Sequence, residues 1–281
     1  MKAAAGFSAL CGKVGALRAL HHGGQPLVLL NVWDAASARV VESLGFPAVA
    51  TTSSGIANAL GYADGEQLSR EEMLTAVTRV TRAVKVPVTA DLEAGYGAGE
   101  QAIVQTVQAA IVAGAAGFNL EDARGGTLLP FEAAVQRVHA ACTAAREAGV
   151  PLVINARTDV FHPGYVSGDP FTEAVRRANA YREAGADCLF VPFVSDAVTI
   201  GRLVKAIHGP INILAGLQTP PLPELQRLGV ARISVGGGLA RAALTVIREV
   251  AEELRATGSF GFTGRIISHG EMNALMETKP H

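Results

Sequence analysis

The chain lacks an excess of charge of either sign: 24 Lys and Arg stand against 25 Asp and Glu, a net charge of −1. That excludes the broad basic face with which proteins hold nucleic acid or an anionic membrane. Cysteine is scarce as well. Cys11, Cys142 and Cys188 are scattered, without metal-type or redox-type spacing, and read as reduced, partly buried thiols. No run of 18 apolar residues is present, and the N-terminus has neither the charged start nor the long apolar stretch of a secretory leader. These absences predict a soluble, cytoplasmic protein whose ligand is a small molecule met by local charges. No low-complexity linker or charge block divides the 281 residues, so a single domain, 1–281, is expected.

What is present is a rhythm. After an N-terminal amphipathic segment (Ser8 to His21), short β-rich apolar runs alternate with helical patterns rich in Ala, Glu and Arg. The runs begin near Leu27, Ala48, Val86, Gly117, Pro151, Cys188, Ile211 and Arg232, eight in all. Glycines at 45, 114, 149, 185 and 229 precede several of them, as left-handed caps that stop a helix before the next strand. Apolar strands alternating with helices signal a parallel sheet covered by helices, and eight such units close most naturally into a (β/α)8 TIM-type barrel with extra N- and C-terminal helices. An open doubly wound sheet is the alternative. The tail after Thr257 reads as a Gly-rich link and a short helix. It is expected either to pack back or, as an arm over 258–281, to reach a neighbouring subunit.

The stretch Val88 to Gly97 (VTADLEAGYG) carries the chemistry. On a strand, Asp91 and Glu93 would project to one side while Leu92 faces away. Two such acids repel unless a proton or a cation lies between them, and Mg²⁺ takes one or two carboxylates plus waters and substrate oxygens. The pair reads as half of a metal site or as two solvated acids at a strand end.

Barrels of this kind place their active sites at the C-terminal ends of the strands. Polar residues collect there: Asn31, Trp33 and Asp34; Thr51 to Gly55; Asp91 and Glu93; Asn119, Glu121 and Asp122; Asn155, Arg157 and Asp159; Asn212; and Ser234 with Gly236 to Gly238. Several acids and one arginine suggest a metal-bound anion, with Arg157 forking onto a substrate carboxylate or phosphonate. Local readings compete at several positions. Asp34 before Ala-Ala-Ser reads better as a helix N-cap, and Asp159 as the cap of a turn. Of the adjacent acids Glu121 and Asp122, only one can face the barrel, leaving the other to pair locally. The glycines at 236–238 suit either a phosphate or tight packing. His162 is the one histidine kept as a proton donor.

TTSSG (Thr51–Gly55), LGYADG (Leu60–Gly65), TADLEAGYG, GFNLEDA, NARTD and LGVARISVGGGLARAAL together resemble the isocitrate lyase and phosphoenolpyruvate mutase superfamily, from about Leu27 to Leu254. The resemblance implies an (α/β)8 barrel that assembles as a homodimer or homotetramer with exchanged last helices. It implies Mg²⁺, with Mn²⁺ as a substitute, on Asp91, Glu93 and Glu121. It implies a small carboxylate substrate held among Trp33, Ser53, Ser54, Gly55, Asp91, Arg157 and Asn212, with Asp64, Glu121 and Arg157 in catalytic roles. The shared chemistry passes through an enolate. Two departures narrow the expectation. The lid with a catalytic cysteine found in isocitrate-type lyases is replaced by Ala123-Arg124-Gly125-Gly126-Thr127-Leu128-Leu129-Pro130, which also lacks the lysine and asparagines of phosphonopyruvate-handling members. Glu93 stands where many members have Asp. The reading that survives is a Mg²⁺-dependent carbon–carbon lyase on a small 2-oxo or 2-hydroxy acid, such as an oxaloacetate decarboxylase or a malate-type lyase. A P–C bond hydrolase or mutase and a non-catalytic 2-oxo-acid-binding barrel are the alternatives.

Overall fold

Eight parallel strands, each followed by helix, close into a barrel in the computed structural model, which describes residues 2–165 and 168–277. The first strand, β1, comes in two pieces, Leu27–Leu29 and Asn31–Val32. The remaining staves are β2 (Val49–Thr51), β3 (Val88–Asp91), β4 (Gly117–Glu121), β5 (Val153–Arg157), β6 (Cys188–Val191), β7 (Ile211–Leu214) and β8 (Arg232–Ser234). The break in β1 is how the barrel shuts. Leu27–Leu29 pairs with β8, whereas Asn31–Val32 pairs with β2, so one strand serves its two neighbours in succession. All eight expected runs form strands, and the open sheet is ruled out.

The predicted helix stops hold. Gly45, Gly114, Gly149, Gly185 and Gly229 all have positive φ, between 73° and 111°, a region that costs a residue with Cβ. Asp34 caps the helix Ala35–Ser43 through a reciprocal box with Ser37. The interior is packed with fully buried Leu29, Phe118, Leu120, Ile154 and Leu189, and Cys142 and Cys188 lie buried as free thiols. The N-terminal helix runs longer than the expected segment, Lys2–Leu20, and buries Leu10, Val14 and Leu17.

Two features stand outside the alternation. The loop after β4 folds as a small antiparallel hairpin, Ala123–Arg124 with Thr127–Leu128. The twenty-residue helix after β8, Gly238–Thr257, buries only Ala240 and leaves Leu244, Val246 and Ile247 exposed. The tail then returns through His269–Glu277, whose Leu275 carbonyl accepts from Arg39 Nε (2.7 Å). The last four residues of the expected arm lie outside the described residues. No helix among the described residues is long and apolar enough to cross a membrane.

Candidate active site

Strand register builds the site in layers. Asp91 of β3 lies level with Asn119 of β4, which lies level with Asn155 of β5. Two residues further along, on the same face, Glu121 lies level with Arg157. The lower layer is an amide ladder: Asn155 Nδ2 donates to Asn119 Oδ1 (2.6 Å), and Asn119 Nδ2 approaches Asp91 Oδ1 (3.5 Å). The upper layer is an ion pair, Arg157 Nη1 to Glu121 Oε2 at 2.8 Å. Asp159, two residues beyond, takes Arg157 Nη2 at 2.8 Å and Nε at 2.9 Å. Arg157 also lies over the Phe190 ring, 5.6 Å from its centroid.

The β2 end comes from the other side. Ser53 begins the helix Ser53–Ala59, and its backbone N–H and Oγ both donate to Asp91 Oδ2, at 3.0 and 2.8 Å. Ser53 Oγ also lies 3.4 Å from Asp64 Oδ1. A cavity of about 260 Å³ opens between these arms, lined by Ser53, Asp64, Glu93, Glu121, Arg157 and Asp159, with His162, Tyr165 and Phe193 at its rim.

Glu93 arrives there by a route different from the expected one. The strand ends at Asp91, and Glu93 sits beyond it with φ of 50°, a left-handed conformation uncommon for a residue with Cβ. Strand alternation therefore does not explain the pairing of Asp91 with Glu93. The bend is held by hydrogen bonds instead: Glu66 N–H donates to Glu93 Oε2 (2.6 Å) and Tyr96 OH to Oε1 (3.1 Å). Arg137 braces the same turn through the carbonyls of Ala94 and Gly97. Strained backbone of this kind persists where the surroundings over-determine it.

Acids outnumber cations around the cavity, and the electrostatics show it. Burial, then the nearby Asp91, pushes the Glu93 carboxyl up to about 7. The same two causes raise Asp64. Burial raises Glu121 and Asp159 against the pull of Arg157, because one guanidinium cannot neutralise two buried carboxylates. Burial alone would lower Arg157, but Glu121 and Asp159 reverse this and hold it firmly charged. Among the described residues no three acids, histidines or cysteines enclose a point closely enough to form a ready cage. The donor set is all oxygen, and Mg²⁺ is usually held by one or two carboxylates with waters completing its shell. The residues fit a hard divalent cation. Glu121 is tied to Arg157, Glu93 to Glu66 and Tyr96, and Asp91 Oδ2 to Ser53, which leaves Asp91 Oδ1, with only the long Asn119 contact, and Asp64, with only the long side-chain contact to Ser53, as the oxygens most open to a cation.

The structure brings Ser53, Asp64, Asp91, Glu93, Glu121 and Arg157 together. Trp33, Ser54, Gly55 and Asn212 are not among the residues that line this cavity. Ser54 Oγ pairs with Thr52 Oγ1 (3.1 Å) and fills the space that a Cβ on Gly237 would need. A Cβ on Gly55 would sit 2.6 Å from Thr52 Cγ2 and 3.2 Å from Trp33 Cβ, so that glycine serves packing. Asn212 is the second residue of β7, below the mouth, and its amide is matched to Ser234 Oγ (3.1 Å). Asp122 pairs away from the cavity, not locally but with Arg177 (3.1 Å) and Tyr181 OH (2.7 Å) of the helix Pro170–Glu183. Asp159, read as a turn cap, is instead the second carboxylate on Arg157. Its Oδ2 is buried without a partner, as is Nδ1 of His162.

One buried charge carried no sequence signal. Arg232, at the base of β8, is fully buried inside the barrel and donates only through Nη2, to Asn119 Oδ1 (3.2 Å). Burial lowers its pKa to about 10, and Asp91 is among the groups holding it up. It lies beneath the acids as a cation joined to Asp91 through Asn119. Its place before Ile233 and Ser234 gave no sign that it faces inward.

Residues 17–255 match the sequence profile of the phosphoenolpyruvate phosphomutase family. The chain belongs to that family. It is 31% identical over 277 residues to phosphoenolpyruvate phosphomutase of Streptomyces viridochromogenes, covering 93% of this chain and 86% of the relative. It is 30% identical over 269 residues to oxaloacetate decarboxylase of Bradyrhizobium diazoefficiens, covering 87% and 88%. Among solved structures, a Burkholderia cenocepacia J2315 protein superposes with a TM-score of 0.89 at 37% identity, covering 95% and 96%. 2,3-Dimethylmalate lyase superposes with a TM-score of 0.82 at 26% identity over 94% of each chain. The barrel is thus that of the phosphomutase family.

Proposed function

We propose that this family member is a carbon–carbon lyase, dependent on Mg²⁺ with Mn²⁺ as a substitute, that cleaves a small 2-oxo or 2-hydroxy carboxylic acid through an enolate. The observation that carries the reading is the convergence of Asp64, Glu93, Glu121 and Arg157 on one small cavity beside Asp91, with negative charge in excess. The relatives support it, since an oxaloacetate decarboxylase and a 2,3-dimethylmalate lyase share this barrel. When bound, a divalent cation at Asp91 supplies Lewis-acid stabilisation of the enolate oxygen.

The chain's own residues do the rest. A guanidinium has five N–H donors, and Arg157 spends three on Glu121 and Asp159, so one on each Nη remains for the substrate carboxylate. Those two carboxylates fix the fork, so little side-chain entropy is lost on binding. Ser53 holds Asp91 in place through two hydrogen bonds. Asp64, raised by burial and by Asp91, is placed to exchange a proton with the substrate. With a 2-oxo diacid the C–C bond breaks with release of CO₂, its electron pair passing into an enolate that a proton converts to the keto acid. With a 2-hydroxy diacid the hydroxyl gives up its proton, that fragment leaves as the 2-oxo acid, and the electron pair passes into the enolate of the other carboxylic acid, which is then protonated.

The test is an NMR time course with Mg²⁺ against oxaloacetate, phosphonopyruvate, 2-methylisocitrate and dimethylmalate, with an EDTA control. Metal-dependent formation of a keto acid without phosphate supports the lyase. Phosphate or phosphoenolpyruvate from phosphonopyruvate would move the protein to P–C chemistry, which the phosphomutase relative favours. Binding of 2-oxo acids without turnover would leave a ligand-binding barrel.

For assembly, we propose a homodimer or homotetramer. The helix Gly238–Thr257 exposes Leu244, Val246 and Ile247 at 51%, 56% and 63%, an apolar face suited to a second copy of the chain. Sedimentation velocity would return a monomer if that face stayed uncovered.

A further inference from the structure

The acid cavity has a second lobe of about 300 Å³, which shares Gly65, Glu93, Glu121 and Tyr165 with it and is closed by the hairpin after β4. Every acid on its wall is already committed. Glu66 accepts from Tyr96 N–H (2.6 Å) and from Arg124 Nε (3.0 Å), Glu93 accepts from Glu66 N–H and Tyr96 OH, and Glu121 holds Arg157. Arg124 is not so committed. Only its Nε is used, and neither Nη has a partner among the described residues. Gly125 and Gly126 follow it in left-handed turn conformations with open space before them, so the hairpin tip does not crowd the guanidinium.

A guanidinium pinned at Nε presents the edge formed by its two Nη groups, the geometry that matches a carboxylate with two parallel hydrogen bonds. Glu66, itself fixed by the Tyr96 backbone, holds the guanidinium by its Nε on the wall of this lobe before any ligand arrives. The geometry points to a second anion subsite: Arg124 reads the distal carboxylate of a dicarboxylic acid whose 2-oxo or 2-hydroxy carboxylate end lies at Arg157. The hairpin that replaces a long lid is then what selects a diacid over a monoacid. This assignment rests on the proposed lyase reading, because it takes the head of the substrate to be at Arg157.

The experiment is calorimetric titration of the full-length protein, saturated with Mg²⁺, with malate and with lactate. These are two 2-hydroxy acids that differ in the second carboxylate. The wild type is expected to bind malate more tightly. Arg124→Gln should weaken malate by about 10- to 100-fold, the loss of a charge-assisted pair, while lactate changes less than about twofold. Arg124→Lys should recover part of the malate affinity, and an unchanged thermal midpoint in both variants shows that the hairpin has not collapsed. An unaltered malate-to-lactate ratio in Arg124→Gln would overturn the subsite while leaving the lyase reading standing. Failure of malate alone to bind the wild type would overturn the subsite, and failure of both acids to bind would overturn the lyase reading with it.

Discussion

The barrel mouth has two arcs that look alike in sequence and differ in kind. On the arc from β2 to β5, Ser53, Asp64, Asp91, Glu93, Glu121, Arg157 and Asp159 crowd together with charge unbalanced and lone pairs unused. On the arc of β7, β8 and β1, Asn212, Ser234 and Asn31 are spent on the fold. Asn31 accepts from the N–H groups of Val235 and Gly236 (2.9 Å each) and donates to the Thr51 carbonyl (2.8 Å). Asn212 and Ser234 satisfy one another. A polar residue at a strand end is therefore no sign of chemistry by itself. What separates the arcs is whether the local backbone and neighbouring strands have consumed the side chain's hydrogen-bonding valence.

The contrast is broken most severely at Arg157. Arg157→Met leaves Glu121 and Asp159 buried without their cation, at a cost of about 3–5 kcal/mol in urea denaturation, together with loss of turnover. On the opposite arc, Asn31→Ala strands two N–H groups and a carbonyl. The expected cost is about 3 kcal/mol, with turnover per folded molecule unchanged. Equal loss of turnover in the two variants would erase the distinction.

A buried group with incomplete partners also registers in pH. His21, below the barrel, has Nδ1 at 2.8 Å from the Leu17 carbonyl and Nε2 without a partner. Burial, then Arg232, lowers its pKa from 6.5 to about 4. The unfolded chain thus takes the proton first, so stability is full above pH 6.5 and falls as pH drops toward 4, by about 3 kcal/mol from this residue. His21→Gln should flatten the denaturation midpoint across that window. The smallest effect belongs to Asn212→Ala: about 1 kcal/mol of stability and turnover within about twofold, measured by the same two assays.

Much of the fold was legible because it rests on local rules. The alternation of apolar runs and helices, the glycine caps and the Asp34 N-cap each depend on a few adjacent residues, and all appear where expected. The site was legible in its membership more than in its reasons. Asp91, Glu121 and Arg157 followed from strand ends, but Glu93 reaches the cavity through a left-handed turn that alternation does not describe. Ser53 rather than Ser54 faces the acids, a choice made by the helix starting at Ser53 and by the packing of Ser54 against Gly237. Glu66 and Arg232 have partners 58 and 113 residues away that they meet only once the barrel closes, and Asp159, two residues from Arg157, reads as a turn cap because nothing local shows that its side chain turns back onto the guanidinium. Periodicity reports which face a residue takes, not which valences its neighbours use up.

In the proposed function, the acid arc holds a divalent cation through Asp91 while the amide arc does not take part. Titration of Mn²⁺ followed by electron paramagnetic resonance, in wild type, Asp91→Ala and Asn31→Ala, tests it most directly. One site is expected in the wild type, retained in Asn31→Ala and lost in Asp91→Ala, with Mg²⁺ competing for it. Unchanged Mn²⁺ affinity in Asp91→Ala would contradict the proposed site.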